Sequence, residues 1–215
     1  MTLISVMNLY HLFTIISLCG FSSLFVNSES SANNTRVVVI PESAGISGIE
    51  LISNNSSIGP SALSESGLTA FCPAGKKVIG GGGVEQGNLV VADSFPDTDS
   101  SWRVNWTRDK LQDVSSFIPV TVYAVCAHVD SSADYSRISG SLQVDPTTTS
   151  EAGGTIFCPD GKRVIAGGGF ENLALVMADS YPITDSSWRV NFVEDVDSTN
   201  GDETITLFAI CIDAG

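Results

Sequence analysis

Twice along this chain apolar and polar residues alternate one by one. Trp102, Val104 and Trp106 are separated by Arg103 and Asn105, and Trp188, Val190 and Phe192 by Arg189 and Asn191. Successive side chains of a β-strand point to opposite faces, so each run predicts a strand with an aromatic face turned to a core. A later stretch repeats the pattern: Val120, Val122, Ala124 and Cys126 share one parity, and the strand predicted over 120–125 has a counterpart over 205–210. Shorter apolar runs predict strands at 69–72 and 155–158, 76–79 and 162–165, and 89–92 and 175–178. The first of each pair ends in a Cys-Pro-x-Gly turn, where proline presets φ and glycine accepts the unusual φ that follows. Runs at 36–40, 49–52 and 138–144 suggest three more strands, and Asn200-Gly201 predicts a type I′ hairpin. No stretch of ten residues carries a helical period.

These pairs exist because the chain is written twice. Residues 72–105 and 158–191 align without a gap at an offset of 86, with 24 of 34 positions identical. Short strands with a turn every 8–12 residues predict a sandwich or barrel. The expected fold is therefore all-β: two homologous small sandwich- or barrel-like lobes, packed as one pseudo-symmetric unit. The expected organisation is a leader at 1–28, an arm at 29–64 with short strands, a repeat at 65–130, a connector at 131–150 and a second repeat at 151–215.

The leader is read from an apolar stretch at 12–26, with no charged residue from Met1 to Ser28. That composition predicts a secretory signal cut near Ser28, with an uncleaved membrane anchor as the alternative. Its removal takes Cys19 and leaves four cysteines. Four allow three pairings. The duplication favours Cys72–Cys126 and Cys158–Cys211, because each copy then closes itself. Zinc is disfavoured, since no two cysteines are spaced as a ligand pair. The expected location is secreted or at the cell surface.

Charge narrows the partners. Ten Lys and Arg against 24 Asp and Glu leave a net charge of −14, and the basic residues are scattered. Phosphate backbones are held by clustered cations, so no nucleic-acid partner is expected. Membrane contact is expected only if the leader stays attached.

Several motifs invite chemistry. The glycine runs at 80–83 and 167–169 lack the Lys-Ser/Thr and the helix of a phosphate loop, and predict instead a strand pressed against a neighbour. The repeated Asp-Ser-x-Pro-x-Thr-Asp-Ser-Ser-Trp block offers Asp93, Asp99, Ser100 and Trp102, and again Asp179, Asp185, Ser186 and Trp188. As a site it would bind Ca²⁺ or sugar hydroxyls through carboxylates and stack a ring on Trp. As structure, its Asp and Ser cap their own backbone and its Trp enters the core. Residues 195–203 superficially resemble a calcium loop but lack its glycine and terminal glutamate. No cofactor is therefore expected, with Ca²⁺ the one exception the acidic loops leave open. Catalysis has little support. His128 has Asp213 as its counterpart in the second copy, and the carboxylate pairs Glu85 with Glu171 or Asp93 with Asp179 are the remaining candidates. Asn33, Asn54, Asn55 and Asn105 stand in glycan-acceptor triplets.

The ordered blocks CPxGKxVIxGGG, SxP, SSWRV and YAVC or FAIC resemble tandem repeat modules of secreted prokaryotic proteins. The resemblance covers both repeats. It implies an exported, disulfide-closed β module, often near the cell surface, and carries over no catalytic residue. The functional expectation is a non-enzymatic extracellular or cell-surface module for binding or adhesion to an unspecified envelope ligand. The alternatives are a lectin-like protein using the two DSSW loops, and a secreted hydrolase.

Overall fold

A computed structural model describes residues 45–60, 66–108, 116–145, 152–171, 175–194 and 203–214, all within one compact unit, Val39–Gly215. The leader, the run at 36–40, Asn33 and the Asn200-Gly201 hairpin lie outside the described residues. The rest is strand and turn, as the alternation predicts, with a single short 3-10 turn at Ser131–Ala133.

The strands are β1 (Ile46–Ile58), β2 (Ser66–Phe71), β3 (Lys77–Glu85), β4 (Leu89–Thr98), β5 (Ser101–Arg108) and β6 (Ile118–Val129). Then come β7 (Ser136–Val144), β8 (Ala152–Phe157), β9 (Lys162–Phe170), β10 (Leu175–Thr184), β11 (Ser187–Glu194) and β12 (Glu203–Asp213). β1 and β7 extend into the stretches expected to be an arm and a connector. β1 pairs along β6 with Ile52 opposite Ala124, and β7 pairs along β12 with Ile138 opposite Ala209. Gly48 and Asp134, 86 residues apart, both take left-handed φ, at 58° and 41°. The backbone carbonyl of each accepts a bond from the amine of Lys76 and Lys162 respectively.

In each half, two three-strand layers face one another. β1-β6-β3 covers β2-β5-β4, and β7-β12-β9 covers β8-β11-β10. All pairings are antiparallel. Between the layers lie Val78, Trp102, Val104, Trp106, Val120, Val122 and Ala124 in the first half. Leu175, Val190, Phe192, Ile205 and Leu207 fill the second. The parity predicted for 120–126 thus does face inward. Disulfides Cys72–Cys126 and Cys158–Cys211 tie layer to layer, with Cα separations of 5.5 and 5.8 Å. In both, the cysteine that ends the second strand meets the sixth strand across the core.

Alternate glycines of each run are explained by how close the layers come. A β-carbon on Gly81 would stand 2.2 Å from Cγ of Trp102, and one on Gly167 2.4 Å from Cγ of Trp188. Each indole lies against bare backbone, where no larger residue fits. In the Cys-Pro-x-Gly turns, Gly75 and Gly161 take φ of 82° and 81°, which only glycine adopts without strain.

The halves join through one strand. β4 of the first half lies beside β9 of the second, with Ser94 opposite Gly169, giving the six-stranded order β2-β5-β4-β9-β12-β7. Phe95 passes over the junction, its ring 5.1 Å from that of Phe208 and 5.5 Å from that of Phe170. Arg137 on β7 donates to the carbonyl of Pro96, and Tyr135 donates to that of Val78. Burial, together with the charge of Asp99, pushes the Tyr135 phenol well above its ordinary value.

Candidate functional site

The repeated polar block is the chain's densest collection of chemistry, and most of it is used to hold the fold. In the first copy, the Thr98 hydroxyl accepts the Ser100 amide at 3.2 Å and lies 2.7 Å from the Ser101 hydroxyl. That turn presents two carbonyls inward: Cys72 N–H donates to Ser100 O and Val78 N–H to Asp99 O, each at 2.8 Å. The second copy is the same. Thr184 serves Ser186 and Ser187, while Cys158 N–H donates to Ser186 O and Val164 N–H to Asp185 O. The turn thus locks the Cys-Pro segment against the following strand; the hydroxyls that cap its backbone are those of Thr98 and Thr184, while its Asp and Ser residues supply the carbonyls.

The tryptophans depart from the exposed rim that a stacking site requires. Trp102 is 2% exposed, and its indole N–H donates to the Ser94 hydroxyl at 3.0 Å. It has no face left for a ligand, because β3 covers one side. Trp188 is half-buried and makes the same bond to Ser180 at 2.9 Å.

Behind each tryptophan runs a relay of polar side chains. Arg103 Nε donates to Asn105 Oδ1 at 2.8 Å, and Asn105 Nδ2 donates to Asp93 Oδ2 at 2.6 Å. Asn105 is buried and committed to this relay, so the expected glycan acceptor is corrected: its amide has no room for a sugar. The reason is local: Arg103 and Asp93 close on the amide from its own face of the sheet, with Gly67 of β2 pressed against it. Asn54 and Asn55 lie exposed on β1, where Asn54 Nδ2 donates to Thr69 O and Asn55 Oδ1 accepts the Thr121 hydroxyl.

The structure does bring two carboxylates together, though neither pair named from sequence. Asp93 meets Glu171 across the junction of the halves, where Glu171 N–H donates to Asp93 Oδ1 at 2.8 Å. Both residues are buried. Loss of water pushes the Asp93 carboxyl up to about 7, against the opposing effect of the Asn105 and Glu171 hydrogen bonds. A shifted carboxyl in a cleft is a catalytic signature. This one is shut away from water beside the end of β9. Two grooves lie elsewhere, one between β1 and β2 of about 250 Å³ and one between β7 and β8 of about 490 Å³. His128 is exposed at the end of β6 beside the Gly75 carbonyl, at 3.3 Å, with no serine or carboxylate bonded to its ring among the described residues. Among those residues no three His, Cys, Asp or Glu gather as a metal site.

Sequence reasoning passed over Phe71 and Phe157. They hold the same place in the two copies, one residue before each Cys-Pro turn, and are 65% and 66% exposed. The signal was present in the alternation: Leu68 and Ala70 turn inward, so Phe71 must turn out. Phe157 lines the groove between β7 and β8 with Leu142, Ile156 and Leu207.

The fold and these contacts define the class as an all-β protein of paired, disulfide-stapled sandwiches. No family model matches the chain. A 63-residue segment is 40% identical to Shufflon protein B' of Escherichia coli, covering 28% of this chain and 13% of that protein. The similarity is local, and the chain spans a small part of that relative's length.

Proposed function

We propose that this chain is a non-enzymatic binding or adhesion module of the cell surface or extracellular space, exported on its leader. The observation that carries the reading is the pair Phe71 and Phe157. A large ring left in water costs burial energy, about 25 cal/mol per Å² of apolar area, and here that cost is kept in both copies at one place. The repeated polar groups, by contrast, bond to their own fold. Two disulfides suit an oxidising compartment, and the segment shared with Shufflon protein B' supports a module reused in longer chains.

The test is adsorption of the labelled chain to intact bacterial cells and to an immobilised glycan array, with and without Ca²⁺. Replacement of both phenylalanines, Phe71→Ser with Phe157→Ser, is expected to reduce binding at least tenfold with the melting temperature unchanged. Full binding by that variant would refute the role of the rings. A lectin reading through the second copy alone keeps one specific support, since Asp179, Ser180 and Asp185 are exposed beside the half-buried Trp188. Loss of glycan binding in Asp179→Asn with Asp185→Asn, and not in the phenylalanine variant, would favour it.

A further inference from the structure

The junction between the halves uses one face of each copy and leaves the equivalent face of the other copy open. β4 of the first half is consumed by β9, while its counterpart β10 stands at a sheet edge with residues 178–185 exposed. β9 of the second half is consumed by β4, while its counterpart β3 is likewise an edge, with Gly81, Gly83 and Val84 exposed. Phe95, 6% exposed in the junction, corresponds to Tyr181, 42% exposed. Phe170 and Phe208, which receive Phe95, correspond to Val84 and Tyr123.

The open halves keep the features the closed junction needs. A β-carbon on Gly168 would fall 1.9 Å from the Ser94 carbonyl oxygen, so the junction demands glycine there. Its counterpart Gly82 is also glycine, although a β-carbon on it meets nothing within 4 Å. Among the described residues nothing crowds that position. A strand laid on β3 as β4 is laid on β9 explains the glycine directly. Asp179 likewise keeps the carboxylate that in Asp93 accepts the Glu171 amide, and Glu85 stands where Glu171 does. Arg137 donates to the Pro96 carbonyl across the closed junction, whereas its counterpart Leu51 is exposed, as is Ile183, the counterpart of Asp97. Tyr181 and Ile183 on one face, and Leu51 and Val84 on the other, are four of the eight large apolar residues left exposed among the described residues.

We propose that β10 of one chain docks on β3 of a second copy, continuing the internal junction from chain to chain. Asp179 accepts the Glu85 amide of that copy, Tyr181 packs over its Tyr123 and Val84, and Gly82 gives the backbone room to approach. The two faces differ, so the contact is head-to-tail. It closes into a ring or runs on as a fibre according to the rotation between copies. Unpaired strand edges are the usual template for such addition.

The test is the mass of the full chain by light scattering across a micromolar concentration series. Wild type is expected at no less than twice the mass of one chain. Gly82→Glu adds a side chain into open space, so it should fold and melt as wild type yet run as a single chain. Tyr181→Ser should do the same, and the control Gly140→Glu, also open within 4 Å, should assemble normally. A mixture of Gly82→Glu with Tyr181→Ser should form dimers, because each variant retains the face the other has lost. A wild-type chain that stays single at every concentration overturns the proposal. So does assembly that survives Gly82→Glu, or a mixture that fails to pair.

Discussion

β4 and β10 carry nearly the same residues and live in different surroundings. Ala-Asp-Ser opens the shared segment in both, at 92–94 and 178–180. In β4 these residues sit under the second half, with Asp93 shut away from water and Phe95 between two rings. In β10 the same positions face solvent. Each Asp is reached by its neighbouring asparagine, but Asn105 stands 2.6 Å from Asp93 and Asn191 stands 3.5 Å from Asp179. The block therefore has an intrinsic role, shaping the turn that locks the Cys-Pro segment. It takes on a second role, joining halves, only where a β9 edge lies beside it.

The comparison can be tested by making each change twice, once in each copy. The largest difference is expected in pH dependence. Burial pushes the Asp93 carboxyl up to about 7 in the folded chain, from the ordinary value of 3.8. Between those values the folded state holds more protons, so stability falls as pH rises from about 4 to about 7. Each tenfold change in proton affinity is worth about 1.4 kcal/mol, so the full span is at most about 4 kcal/mol. Denaturant melts across that range should lose this slope in Asp93→Asn and keep it in Asp179→Asn. A slope unchanged by Asp93→Asn would mean that the carboxyl is not sealed.

Next comes the glycine pair. Gly168→Ala sets a β-carbon against the Ser94 carbonyl and should cost about 3 kcal/mol, the upper end of overpacking penalties, with the loss seen in urea midpoints. Gly82→Ala, in open space, should change stability by less than about 0.5 kcal/mol. A smaller gap is expected between the tryptophans. Trp102→Ala should cost about 4 kcal/mol, and Trp188→Ala, whose ring is part-exposed, about 2. The disulfides should show no gap at all. They span 54 and 53 residues, so losing either should cost about 4 kcal/mol on chain-entropy grounds. A clear inequality between Cys72→Ser with Cys126→Ser and Cys158→Ser with Cys211→Ser would show that one half depends on its staple more than the other.

Much of this was legible along the chain. Alternation placed β5, β6, β11 and β12 and the inward parity of Cys126. The Cys-Pro-x-Gly turns and the glycine runs were read for their physical cause, and the duplication picked the disulfide partners. What escaped was longer in reach. β1 was expected as a four-residue strand within an arm and is a 13-residue strand, because its outer residues are polar and only its pairing with β6 orders them. Asn105 was read as a glycan acceptor on a polar face, and it proved to be buried in its bonds to Arg103 and Asp93. Trp102, on the opposite face, lost its place as a ligand platform because β3 lies over its ring. The carboxylate pair that formed, Asp93 with Glu171, joins residues 78 apart and has no sequence signature.

The chain by itself determined its strands, its turns and its covalent partners, since these depend on near neighbours and on a pattern present in both copies. Only the tertiary structure decided which copy of each face is buried. Identical residues carry no mark of what lies across a sheet edge, and water is excluded there by the neighbour that folding supplies.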